Sequence, residues 1–188
     1  MSVEIARWQF TVEDYERMRE VGILHEDDRV ELLDGEVRAM SPIGPFHASI
    51  VNLLAMLLTR QLGDNAIVSS QNPIQLNDYS EPQPDIAILQ PRVDYYAAAH
   101  PRPDDILIVI EVSDSSLEYD RTEKLPRYAI AGIPEVWIID VGKKTIEQHT
   151  QPQTNRYHEV RLFEQGEQVT SLQIAQLGIS VGAIFRSF

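Results

Sequence analysis

Five apolar residues in a row, Ile106–Ile110, are followed at once by Glu111. An unbroken run of this kind reads as a strand buried on both faces. It demands a sheet with covering layers on each side, which is an α/β arrangement. The carboxylate at its end is expensive, because burying an unpaired one costs several kcal/mol. Either Glu111 is an exposed strand end or something there is paired with it.

A length of 188 residues suits one domain with a real core. The hydrophobic share of 43% lies just under the roughly 45–50% of globular chains counted with glycine, and nine glycines close that gap. No run of about 18 apolar residues exists, so no membrane span is expected. The opening "MSVEIARWQFTVEDYE" has no basic stretch with an apolar one behind it, so no secretory signal is read. Without cysteine, disulfides and thiolate metal sites drop out, which suits a cytoplasmic protein. The net charge is −13, and residues 1–40 alone carry five basic and eleven acidic side chains. Such a surface repels a phosphate backbone, although a cation held by carboxylates reverses the sign locally.

Thr11 and Asp14 make a capping-box-like pair at the head of a helix that Gly22 stops. Asp34-Gly35 between two strand-like arms predicts a hairpin. Ile50, Leu53, Leu54, Leu57, Leu58 and Leu62 form one stripe of an amphipathic helix over 48–62, ended by Gly63. Strands are predicted around 66–76, over "DIAIL", in the opening run, over "PEVWIID" and over "TIEQHT". A helix runs from about Asp120 to Ala131 and stops at Gly132. The tail from Tyr157 holds further strands and a short segment near Ile184 and Phe185. With no repeat or linker, the order predicts one α/β or α+β domain with helices on both sides of its sheet.

Asp85 begins its strand and Glu111 ends its own. If the two are antiparallel neighbours, both carboxylates reach the same end of the sheet. Two such groups repel unless a proton or cation lies between them, and oxygen donors suit a hard ion such as Mg²⁺ or Mn²⁺. Lys124 lies four residues after Asp120 and four before Tyr128, on one helix face. A lysine there could orient a metal-bound water or steady charge on a phosphate. Ordinary structural readings stand beside these. Asp85 also reads as a turn or strand cap, and Asp120 with Lys124 as a surface ion pair contributing about 0.3–0.5 kcal/mol.

"QPDIAIL" (83–89), "LIVIEVSDSS" (107–116) and "YDRTEKLPRYAIAGIPEVWIID" (119–140) resemble the PD-(D/E)XK nuclease superfamily. Within it they resemble the Uma family of "putative restriction endonucleases", and residues 30–54 are similar to that family's leading section. The resemblance covers about Val30 to Asp140. It implies a single restriction-endonuclease-like domain over 1–188: a mixed β-sheet flanked by helices, with an N-terminal helix and hairpin extension. It also implies a metal-dependent nuclease that hydrolyses phosphodiester bonds in DNA, using Mg²⁺ or Mn²⁺, as a homodimer. Matched residue by residue, Asp85 is the first metal-binding acid and Glu111 the second, with the Val112 carbonyl beside them. The usual lysine two residues beyond the second acid is Ser113 here, and Lys124 on the next helix is the match. Glu31, His47 and Asp120 are auxiliary candidates. Glu31 also reads as an exposed hairpin position, and His47 as a helix N-terminal residue with a structural hydrogen bond. Arg121 and Arg127 are candidates for nucleic-acid contact, within a basic groove expected around them, Arg92 and Arg102.

The acidic charge favours an alternative, a non-catalytic binding or scaffold protein on the same fold. A hydrolase of small phosphorylated molecules also suits the acidity, but no Gly-rich phosphate loop is present.

Overall fold

In the computed structural model, which describes residues 7–25 and 27–185, Thr11 opens helix α1 (Val12–Glu20). Its hydroxyl accepts from the Asp14 amide (3.1 Å), and the Asp14 carboxylate accepts from the Thr11 amide (3.0 Å), the expected capping box. Strands β1 (Val30–Leu33) and β2 (Glu36–Ala39) form the predicted hairpin. Its turn needs positive φ at both central residues, 50° at Asp34 and 76° at Gly35. Helix α2 (Pro45–Leu62) starts three residues before the expected position. Pro45 lies in its first turn, where the missing N–H costs nothing.

Six strands form the main sheet in spatial order: β3 (Ile67–Ser70), β4 (Ile86–Leu89), β5 (Ile106–Ser113), β6 (Glu135–Asp140), β7 (Thr145–Gln153) and β8 (Arg156–Phe163). Every neighbouring pair is antiparallel except β5 and β6, which are parallel. Parallel neighbours need a crossover. Here it is α3 (Leu117–Tyr119), a π-helical turn (Asp120–Lys124) and α4 (Leu125–Ile130). A separate pair, β9 (Gln168–Thr170) with β10 (Gly178–Ser180), and helix α5 (Val181–Phe185) complete the fold. Among the described residues no helix is long and apolar enough to cross a membrane.

Side-chain alternation along β5 divides the core. Ile108, Ile110 and Val112 pack with Trp137 and Ile139 under α2 and α5. Val109 packs with Ala87, Val136 and Ile138 under Tyr128 and Ala129 of α4. The mixed sheet covered on both faces is the expected fold class, and Glu111 shares parity with the α4 face.

Four boundaries differ from expectation. The strand predicted over 66–76 stops at Ser70, because Gln71 takes a φ of 52° and turns the chain out of the ladder. Strand β5 continues to Ser113, so Glu111 lies inside the strand and is 2% exposed rather than ending it in solvent. Strand β7 runs on to Gln153. The crossover helix begins at Leu117 and contains the π turn, in which the Leu125 amide reaches back to the Asp120 carbonyl. Pro126 explains the widening, since it has no N–H to offer the Thr122 carbonyl one turn back.

Glu135, the first residue of β6, is a fully buried carboxylate. Its Oε1 accepts from Trp137 Nε1 (2.6 Å) and Gln148 Nε2 (2.7 Å). Its Oε2 accepts from Ser171 Oγ (3.0 Å) and the amides of Leu172 (2.9 Å) and Gln173 (3.2 Å). One side chain thereby ties the loop after β9 to the sheet.

Glu81 is also buried, with Glu16 and Arg19 of α1 as its charged neighbours. Burial, then the Glu16 carboxylate, push it up to about 8 against the pull of Arg19. The folded chain therefore keeps this proton where the unfolded chain loses it near its ordinary value, about 4.3. The group's stability contribution is full below that value and lost as pH rises through about 8. Glu81→Gln is expected to show a melting-temperature advantage over wild type that opens between pH 4 and pH 8.5. A difference independent of pH would remove the charge as its cause.

Candidate functional site

The antiparallel register sets Ile86 opposite Ile110, so Asp85 and Glu111 are the next facing pair, on the α4 side. The Asp85 amide donates to Glu111 Oε2 (3.3 Å). Asp85 Oδ2 accepts from the Val112 amide (2.9 Å) and lies 3.1 Å from His47 Nε2. Its Oδ1 has one long contact, the Gln71 amide group at 3.4 Å. The Asp85 bond is the main cause that raises the His47 pKa, with burial opposing it.

Lys124 projects from the π turn and is 6% exposed. Its Nζ lies 3.2 Å from Glu111 Oε1, 3.4 Å from Glu31 Oε2 and 3.2 Å from the Gln83 carbonyl. Three ammonium protons therefore face three acceptors. Burial opposes the charge, but Glu111 and then Glu31 more than offset it and raise the pKa. Lys124 is a fixed cation, not a proton acceptor. Glu111 also accepts from the Tyr128 hydroxyl (2.6 Å), and burial pushes it up to about 8 against the pull of Lys124. Glu31 Oε1 accepts from the Tyr119 hydroxyl (2.9 Å), and its Oε2 from the Gln83 amide (3.1 Å). Asp120 Oδ2 accepts from Ser113 Oγ (2.7 Å) and Ser116 Oγ (2.6 Å), and burial raises its pKa.

These groups line one cleft of about 220 Å³, which also contains Arg29. Arg29 is exposed and forms no ion pair among the described residues. Carboxylate oxygens of Asp85 and Glu111 are the donors in the cleft best disposed to hold a cation.

The structure thus brings together Asp85, Glu111, Lys124, Glu31, His47 and Asp120. Glu31 is 1% exposed, which rules out the exposed hairpin position. Asp120 and Lys124 are both buried and form no ion pair with each other, so the surface pair does not exist. Val112 meets the site through its amide, whereas its carbonyl was the group expected. Arg121 and Arg127 do not reach the cleft. Arg121 is paired with Glu147, and Arg127 with Asp34 (2.6 Å). Arg92 is paired with Asp94 (2.6 Å), and Arg102 reaches Gln75 Oε1 (3.4 Å), so the expected basic groove is not assembled from these four.

Sequence reasoning missed Tyr119, Gln83 and Arg29. Tyr119 had a signal in its place directly before Asp120. Gln83 acts through its backbone, which no residue letter records.

The Uma2 family model, described as "Putative restriction endonuclease", matches residues 12–183. No curated protein gives a significant match. Among solved structures, a protein of Anabaena variabilis described as "a putative nuclease belonging to DUF820" is similar, with a TM-score of 0.71 and 16% identity. The alignment covers 94% of this chain and 98% of that one. At that identity the likeness speaks for the fold, a nuclease-like mixed sheet flanked by helices. Because the family model spans nearly the whole described chain, and the Asp85–Glu111–Lys124 cleft falls inside the match, the chain belongs to the Uma2 family.

Proposed function

We propose that the chain is a metal-dependent nuclease that hydrolyses phosphodiester bonds in DNA, working as a homodimer when both strands are cut. The observation that carries this reading is the convergence of Asp85, Glu111 and the buried Lys124 in one cleft. Mg²⁺ or Mn²⁺ fits the donors: hard carboxylate oxygens, no thiol, and an Asp85 Oδ1 with one long contact. Asp85 and Glu111, with the Val112 carbonyl, would hold the ion. When bound, it supplies a water of lowered pKa and polarises the scissile phosphate.

The chain's own groups do the rest. His47 and the Val112 amide hold Asp85 Oδ2, which leaves Oδ1 for the ion. Lys124, kept charged by Glu111 and Glu31, offsets negative charge that grows on the phosphate. Arg29 at the cleft is the group open to an incoming backbone phosphate.

Calorimetric titration of Mn²⁺ into wild type and Asp85→Ala, followed by incubation with plasmid DNA, tests the reading. Binding and metal-dependent nicking are expected in the wild type, with both lost in the variant. Equal nicking by the two proteins sinks it. His47→Ala is expected to reduce nicking about 10–100-fold through a weaker Mn²⁺ affinity, with the fold retained. An unchanged affinity would leave His47 a purely structural role.

A second reading, a non-catalytic binding or scaffold protein, is favoured by the net charge of −13 and by Arg121 and Arg127 being neutralised by Glu147 and Asp34. Mn²⁺ binding by wild type with neither DNA nor RNA cleaved would select it.

A further inference from the structure

Away from the cleft, three side chains from separate segments converge: Glu16 of α1, Glu81 of the loop before β4, and His100 of the segment between β4 and β5. One donor atom of each lies within 4.8 Å of the other two. None of the three lines the cleft. Backbone bonds position each segment independently. The Val12 amide donates to the Asp78 carbonyl (2.8 Å) and docks α1, and the Glu81 amide donates to Leu32 (2.8 Å). The Gln75 amide donates to Pro101 (2.9 Å), one residue beyond His100.

A second observation points to a ligand. Glu81 is 2% exposed, and its Oε1 has no hydrogen-bond partner among the described residues. An acceptor buried without a donor costs about 1–3 kcal/mol, and here a second carboxylate stands against it. Arg19 does not relieve it. Its guanidinium stacks on the Tyr15 ring (4.8 Å) and donates to the Tyr15 hydroxyl (2.6 Å), and it forms no ion pair with either glutamate among the described residues.

We propose that Glu16, Glu81 and His100 bind a divalent transition-metal ion of the zinc class, which fastens α1 to the loops beneath it. Two carboxylates and an imidazole suit Zn²⁺ or Co²⁺ better than Mg²⁺, which takes oxygen ligands and keeps its water. Donors at about 2.0–2.2 Å from a tetrahedral ion stand roughly 3.3–3.6 Å apart. Half-buried Glu16 and exposed His100 therefore need to close on Glu81 by only about 1 Å. Three protein ligands leave the fourth position to water. The ion also balances both carboxylates, whereas a proton shared between them balances one.

Co²⁺ and Zn²⁺ titrations on wild type, His100→Ala, Glu81→Gln and Asp85→Ala test the site. Co²⁺ is expected to give a visible ligand-field absorption saturating at one equivalent in wild type and in Asp85→Ala. It should be lost in His100→Ala and Glu81→Gln. Zn²⁺ at about a hundredfold excess over its Kd should raise the melting temperature roughly 5–10 °C in the same two proteins. His100 is exposed, so its variant keeps the fold and the metal-free melting temperature. The same absorption in His100→Ala would overturn the proposal. So would the absence of absorption in wild type, which would leave Glu16 and Glu81 as a proton-sharing pair only.

Discussion

Replacing Lys124 by methionine is expected to destabilise the fold by about 3–5 kcal/mol, the usual result of removing one partner from a buried charge cluster. Methionine preserves the length of the side chain and much of its volume, so the loss isolates the charge. Glu31 and Glu111 would lose their common counter-ion, and the Gln83 carbonyl its donor. The hydroxyls of Tyr119 and Tyr128 remain on those carboxylates, but neutral donors cannot balance two buried negative charges. Urea denaturation reads the effect directly. A second change, Glu111→Gln in the Lys124→Met background, is expected to recover part of it by removing one of the stranded charges. A loss below about 1 kcal/mol in the single variant would mean that desolvating the ammonium already cancels its ion pairs.

Glu135→Ala should cost a similar amount, about 3–5 kcal/mol, in a place remote from the cleft. Five donors converge on this carboxylate, two of them backbone amides that have no other partner in the structure to turn to. Alanine leaves them buried and unpaired, together with a cavity against Trp137. For a chain of this size the melting temperature should fall by roughly 10 °C. Glu135→Gln is the informative control. It keeps one acceptor oxygen and sets an N–H₂ against the donors on the other, so most of the loss should persist. If glutamine restored full stability, shape rather than the anion would be what β9 needs.

Much of the architecture is written locally. Thr11 with Asp14, and Asp34-Gly35, carry their own instructions, because a cap and a type I′ turn depend on neighbouring residues alone. The meeting of Asp85 with Glu111 was legible too, since it needs only two adjacent antiparallel strands. The errors have a common cause in long-range pairing. Ile74 and Leu76 look like strand residues because they are apolar. They are buried in the α4-side core from an irregular loop, with no ladder to join. Arg127 looked available for nucleic acid, yet its partner Asp34 is 93 residues away in the chain. Lys124 was found by helical spacing. Its three acceptors come from β1, from β5 and from a backbone carbonyl, and no window of sequence contains them together.

The π turn has a consequence for what this stretch of chain can tolerate. Residue identities within 120–124 can vary wherever a side chain does no work, but their number cannot. Deleting one residue would close the turn into ordinary α-helix and swing the downstream helix by about 100°. Asp120 would keep its serines, while the segment bearing Lys124 and Tyr128 would rotate away from Glu111. The crossover therefore works as a spacer of counted length, less forgiving of a single-residue deletion than of most single substitutions.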